Sequence, residues 1–377
     1  MKHITLAFDS FKGSMSSLEV ADAFANALCR MQKECDIRKV AISDGGEGMT
    51  ASILNSCGGE WLSVEVSDPL GRRRTCRYAL VDSGATAVIE LAAASGLTLL
   101  APDERNPLIT STYGLGEILR DALDRGCQKI MLGIGGSATN DGGVGMLQAL
   151  GYRFLDAAGC HVEGCGAALQ LIKSIDDSGA DMRLRDVDVV VACDVDNPLY
   201  GEHGAAYVYA PQKGADEAMV IRLDEGLRNY GEVLAAYCGR DVSQVSGAGA
   251  AGGVGAALVA VVGARLERGI DMLLEAIAFE DTIRGCDLVV TGEGRIDSQT
   301  LCGKVPMGIL NAAKRHALPV VAIGGSVEHS DALYRAGFCD IVALTDGSTP
   351  LSEAMRKDVT ILNIERAAEY VVRKYLM

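Results

Sequence analysis

Short apolar runs punctuate the chain, and each one stops at a cluster of glycine, aspartate or hydroxyl residues. Ile4–Phe8, Val40–Ile42, Ile130–Leu132, Val187–Ala192, Asp287–Thr291, Val320–Ile323 and Ile341–Leu344 have the length and composition of buried strands. Between them the period changes to that of helices. Ser16-Ser17-Leu18-Glu19 is a capping-box pattern, and Leu18, Ala21, Ala25 and Leu28 then fall on one inner face. Ser111–Arg125 ends at Gly126, a residue suited to the left-handed position after a helix. Asp216–Cys238 carries Met219, Leu223, Leu227, Tyr230 and Leu234 on one stripe, and Pro306 suits the first turn of a further helix. Strand, polar loop and helix recur without a fixed period. That recurrence predicts parallel strands with crossover helices, whose loops gather on one sheet edge.

A different texture interrupts this design. Residues 61–66, 75–81 and 87–91 alternate or run apolar between the turns Asp68-Pro69-Leu70-Gly71 and Asp82-Ser83-Gly84, as antiparallel strands do. The change predicts a Rossmann-like α/β domain of residues 1–67 and 286–377, with a parallel sheet shared by Ile4–Phe8 and Leu288–Thr291. A second α/β domain, residues 68–285, would be inserted into it, with the active site in the cleft between the two. The strand at Ile130 could belong to either sheet. Residues 242–264 carry no charge, yet six glycines and three polar residues dilute them, so a buried helix is expected rather than a membrane span.

One loop concentrates chemistry. After Ile130–Leu132 the chain reads Gly133-Ile134-Gly135-Gly136-Ser137-Ala138-Thr139-Asn140-Asp141-Gly142-Gly143, then Met146–Leu150 reads as a helix. Glycines let backbone N–H groups approach a ligand, and such turns make anion-binding concavities. Ser137, Thr139 and Asn140 can hydrogen-bond phosphate oxygens, and Asp141 can meet a cation. Other strand ends carry Asp9 and Ser10 with Lys12, then Asp44-Gly45-Gly46-Glu47, Asp194, and Glu293 with Arg295 and Asp297. Each has a plainer alternative, such as a turn aspartate bonded to its own backbone or a solvated lysine. Glycine loops, carboxylates for magnesium and cations for developing charge are together the parts of phosphoryl transfer. There is no GxxxxGK[ST] and no GxSxG. Gly247-Ala248-Gly249-Ala250-Ala251-Gly252 matches GxGxxG without a preceding strand or a following acidic residue, so a dinucleotide site is not indicated. A phosphatase and a non-catalytic metabolite sensor remain open at this level.

Composition narrows the partners. The 377 residues are 49% hydrophobic and 23% charged, with 45 glycines and only 5% aromatic residues, which suits a globular α/β protein of tight turns. A net charge of −15 argues against nucleic acid or an anionic membrane as partner. Twelve cysteines without a CxxC pair and five histidines without a ligand spacing indicate neither a zinc site nor a disulfide framework. Asp9 arrives too early for a signal peptide, and a cytoplasmic location is expected.

The motifs in order resemble the type-1 glycerate kinase family. They are Asp9-Ser10-Phe11-Lys12-Gly13-Ser14, Asp44-Gly45-Gly46-Glu47-Gly48, residues 135–143, Ala192–Leu199, Tyr209-Ala210-Pro211-Gln212-Lys213-Gly214-Ala215, Gly247–Gly255 and Thr291–Asp297. They span essentially the whole chain, and Phe8 stands where the family usually has proline. The resemblance implies a two-domain α/β kinase that phosphorylates D-glycerate with ATP, in similar bacterial relatives to 2-phosphoglycerate and in others to the 3-phosphate. From chemistry, Asp194 is expected as the general base, with Lys12 or Arg295 offsetting transition-state charge. Gly135, Gly136, Ser137, Thr139, Asn140, Asp141, Gly142 and Gly143 are expected to cradle the nucleotide phosphates, and Glu293 and Asp297 to hold Mg2+. Asp9, Ser10, Asp44, Gly45, Gly46 and Glu47 are expected around the substrate. Oligomeric state is not legible.

Overall fold

The computed structural model describes residues 1–31, 34–42, 48–328, 331–345, 347 and 349–376. The chain divides into two compact units, Met1–Asp44 with Ile270–Met377, and Gly45–Gly269.

The discontinuous unit is built on five parallel strands in the edge-to-edge order Asp340–Ala343, Val320–Val327, Leu288–Ile296, Lys2–Phe8, Cys35–Ala41. In chain order this is 2-1-3-4-5 read from the other edge, so connections leave in opposite directions from Lys2–Phe8 and Leu288–Ile296. Crevices for ligands form at that switch point, outside the carboxyl ends of the strands. Burial on both faces explains the continuous apolar runs: Ile4, Leu6 and Phe8 pack with Leu288, Val290, Val321 and Ile323. The helix Ser17–Met31 starts with its capping box formed, Glu19 Oε2 accepting from Ser16 N at 2.8 Å. Its buried face is Val20, Ala21, Phe24, Ala25, Ala27 and Leu28, while Leu18 is 37% exposed. Phe24 takes the position against Phe8, with ring centroids 5.5 Å apart.

The unit Gly45–Gly269 holds a six-stranded mixed sheet in the order Arg265–Glu267, Asp188–Ala192, Lys129–Gly133, Thr86–Glu90, Arg73–Val81, Glu60–Ser67. The last three strands pair antiparallel, and the first four run parallel. The strand at Ile130 therefore lies between Thr86–Glu90 and Asp188–Ala192. The boundaries differ from those expected, 67/68 and 285/286. Glu60–Ser67 is registered against Arg73–Val81 along its whole length, Glu60 opposite Leu80 and Ser67 opposite Arg73, so this hairpin cannot be split between units. The arginine turn beside it is structural: Arg72 Nε lies 2.6 Å from Asp68, and Arg73 pairs with the buried Glu117 at 2.6 Å. Residues 242–264 form no single helix. Ala250–Ala257 is broken near its start, where Ala251, Gly252 and Gly253 are left-handed, and at its end it runs into a π-helical turn, Leu258–Val262. Among the described residues no helix is long and apolar enough to cross a membrane.

Candidate active site

In the discontinuous unit the switch point opens into a cavity of about 340 Å³. The loop after Phe8 contributes Asp9, Ser10 and Lys12, and the end of Leu288–Ile296 contributes Glu293 and Arg295. Phe8 is opposite Gly292 in the ladder and Asp9 N–H donates to the Gly292 carbonyl at 2.9 Å, so Asp9 and Glu293 leave adjacent strands at one level. Burial pushes the Glu293 carboxyl up, against the Thr300 hydroxyl that donates to it at 2.6 Å and the Lys304 ammonium 3.7 Å away. Asp297 does not line the cavity. Its carboxylate accepts from Gln299 N–H at 2.9 Å, capping the turn Ser298–Cys302, and lies 3.2 Å from Arg295. Arg295 is mostly solvated and also lies 3.4 Å from Glu328. Asp44, Gly45, Gly46 and Glu47 lie outside the described residues.

In the other unit a second pocket, about 350 Å³, opens at the carboxyl ends of Lys129–Gly133 and Asp188–Ala192. Gly135, Gly136, Ser137, Asp194, Tyr209 and Lys213 line it. The glycine loop divides in two. Gly135 and Gly136 are exposed, and Ser137 is within reach of the pocket. Thr139, Asn140 and Asp141 are wholly buried with Gly142 and Gly143. The Asp141 carboxylate accepts from Thr112 N, Thr112 Oγ1, Gly143 N and Gly145 N at 2.7–3.2 Å. It thus occupies the first N–H groups of the helix Val144–Ala149, the groups expected to face an anion. Burial pushes its carboxyl up, and those four donors oppose the shift. Gly142 is required by packing, since a Cβ there would stand 2.6 Å from the Tyr230 ring.

Lys213 is the functional candidate that pattern reading left without a role. It sits in the turn Pro211–Lys213, is 2% exposed, and donates to Ser137 Oγ at 2.8 Å and to the Thr139 carbonyl at 2.6 Å. Burial pushes its ammonium down to about 7, with Asp141 pulling the other way. A lysine set between Pro211 and Gly214 in a tight turn was the available signal. Asp194 is exposed at the strand end, and one oxygen accepts from Gly269 N–H at 2.9 Å. Ala251, a non-glycine residue at φ 52°, closes the same pocket; such strain concentrates at functional sites.

Parallel strands deliver carboxylates, hydroxyls and lysines to one pocket in each unit, groups of the kind an α/β enzyme uses. The particular family follows from comparison: the profile of the glycerate kinase family matches residues 4–376, and the chain belongs to that family, an enzyme of the kinase class. It is similar to a glycerate kinase of Bacillus subtilis (strain 168), 46% identical over 98% of this chain and 95% of the relative. It is 43% identical to the glycerate 2-kinase of Escherichia coli (strain K12) over 94% of this chain and 93% of that one. A crystal structure from Salmonella typhimurium LT2 with the provisional designation glycerate kinase 2 superposes with a TM-score of 0.88. It is 44% identical and covers 99% of this chain and 97% of the other.

Proposed function

We propose that the protein transfers the γ-phosphoryl group of ATP to a hydroxyl of D-glycerate, with 2-phosphoglycerate favoured as product. The observation that carries this reading is whole-length similarity to proteins named glycerate kinase, among them a glycerate 2-kinase. The chemistry of the pockets supports it. The acceptor hydroxyl is a poor nucleophile, and Asp194, at a strand end beside Ser137 and Lys213, is the carboxylate assigned to take its proton. As the oxygen–phosphorus bond forms, the bond between the γ-phosphorus and the bridging oxygen breaks, and ADP leaves with that electron pair. Gly135, Gly136 and Ser137 are the reachable part of the glycine loop and suit an anionic group.

The residues also fit magnesium carried by a nucleotide, which keeps several waters and needs only one or two carboxylates. Asp9 and Glu293 are that pair in the cavity of the discontinuous unit, Asp297 being engaged as a cap. No group of three His, Cys, Asp or Glu residues forms a metal cage among the described residues. Magnesium would neutralise charge on the phosphates. Lys12 and Lys304 line the same cavity and supply fixed positive charge.

The deciding experiment is a coupled assay with ATP, Mg2+ and D-glycerate. ADP release that EDTA abolishes, with phosphorus NMR placing the phosphate on the 2-hydroxyl, is the expected result. Nucleotide binding without ADP release would make the protein a sensor. Inorganic phosphate set free from phosphoglycerate without nucleotide would make it a phosphatase.

A further inference from the structure

The cavity of the discontinuous unit is chemically two-sided. The strand-end loops bring charge: Asp9, Lys12, Glu293 and Lys304. The opposite contribution comes from the C-terminal segment and is largely apolar. Leu351 and Ala354 belong to the short helix Leu351–Ala354, Met355 follows it, and Leu344 follows the strand Asp340–Ala343. Leu351 is 74% exposed, a leucine that the core of its own unit does not use. Thr345 and Asn363 add hydrogen-bonding groups among these apolar side chains. The charged loop and the apolar wall meet at Gly13, where φ is +80° and an added Cβ would stand 2.5 Å from Met355 Cε.

The pocket of the unit Gly45–Gly269 is built differently. Its buried cation, Lys213, is tied to Ser137 and Thr139, its carboxylate is Asp194, and its glycines leave room for a small group. A nucleoside triphosphate presents a flat apolar base at one end and up to four negative charges at the other. A small hydroxy acid presents a carboxylate and hydroxyls with no apolar face. From this contrast we infer that the nucleoside triphosphate binds in the cavity of the discontinuous unit, its base against Leu344, Leu351 and Met355 and its phosphates toward Lys12 and Lys304. The assignment gives the nucleotide a different pocket from the one lined by the glycine loop, to which the sequence pattern had assigned its phosphates, and leaves the pocket of Ser137, Asp194 and Lys213 to the hydroxy acid. Placement at the topological switch point of a parallel sheet is the general rule for such ligands.

The inference rests on the kinase reading, but its test does not need turnover. Full-length wild type, Leu351→Asp, Met355→Glu and Ser137→Ala are titrated with a fluorescent N-methylanthraniloyl ATP, and the KM values for ATP and D-glycerate are measured beside it. Leu351 is solvent-exposed, so Leu351→Asp is expected to keep the wild-type melting temperature and far-UV spectrum. Leu351→Asp and Met355→Glu should each weaken the ATP probe tenfold or more and raise the KM for ATP, with the KM for D-glycerate within twofold of wild type. Ser137→Ala should leave probe affinity within twofold. Unchanged probe affinity in both apolar-wall variants, or loss of probe binding in Ser137→Ala, would overturn the assignment. A wild type that binds the probe yet releases no ADP with D-glycerate would defeat the kinase reading alone, since the binding series would still decide this one.

Discussion

Gly252 is the hinge on which the interior half of the glycine loop depends, and replacing it tests that dependence directly. Its φ is +71°, and a Cβ would stand 2.2 Å from the Thr139 carbonyl oxygen and 2.6 Å from Asn140 Cα. The carbonyl of Gly252 itself accepts from Gly142 N–H at 3.0 Å. Gly239, at the C-terminal end of the helix Glu217–Cys238, has nearly the same φ, +74°, but nothing within 4 Å of an added Cβ. The two glycines thus separate backbone strain from collision. Gly239→Ala should cost the left-handed penalty alone, about 1–2 kcal/mol, less roughly 0.4–1 kcal/mol recovered from the unfolded chain. Gly252→Ala bears the same penalty and must also push backbone that cannot rotate aside. Overpacking of this kind costs about 1–3 kcal/mol. Moving Thr139 also disturbs the carbonyl that Lys213 holds at 2.6 Å, and an unmade buried hydrogen bond adds about 1–3 kcal/mol. A gap near 3 kcal/mol between the variants corresponds to roughly 6–12 °C in Tm for a unit of this size. Differential scanning calorimetry on both proteins measures it. If Gly252→Ala melts within about 2 °C of Gly239→Ala, the close approach does not constrain the loop and the reasoning fails.

Two further outcomes are expected. Asp194→Asn keeps the oxygen that accepts from Gly269 N–H and removes the base, so kcat in the coupled assay should fall on the order of a hundredfold or more, with Tm unchanged; near-normal turnover would pass the base role to another carboxylate. Lys213 titrates at about 7 in the folded protein against about 10.4 unfolded, so the unfolded chain binds more protons between those values and stability should rise with pH across that window. Urea denaturation at pH 7 and pH 9 should show wild type gaining on Lys213→Met by up to about 1.4 kcal/mol per pH unit, and parallel behaviour of the two would mean that the ammonium is not held in a desolvated site.

Most of the fold was legible because the apolar runs are short, strand-like and stopped by polar loops. Ile4–Phe8 and Leu288–Thr291 do share a parallel sheet, with Leu6 opposite Val290 in register. The boundary at residue 67 misled for a physical reason. A change from parallel to antiparallel texture marks a hairpin, and this hairpin is the edge of a mixed sheet whose parallel part begins only at Thr86–Glu90. Residues 61–66 alternate because one face of an edge strand is solvated, which local pattern cannot distinguish from the end of a domain. Residues 242–264 misled in the opposite direction. Their uncharged run is buried as expected, but the glycines serve close approach to Thr139 and Gly247 rather than helix continuity.

The candidate site was legible as residue types and not as solvent access. Asp141 and Ser137 stand four positions apart in one glycine-rich loop, and either could meet a ligand on composition. The structure separates them because four N–H and O–H donors from Thr112, Gly143 and Gly145 converge on Asp141, while Ser137 is held at the pocket by Lys213. A glycine loop of this kind is thus two devices in series: a reachable rim, Gly135–Ser137, and a buried anchor, Thr139–Gly143, that fixes the rim's position. The anchor needs a carboxylate and glycines for the same hydrogen-bonding and steric reasons that a phosphate site does, so the two leave one signature in the chain. What distinguishes them is the set of partners brought from far away, Thr112, Tyr230, Gly252 and Lys213, and those contacts exist only once the sheet has formed.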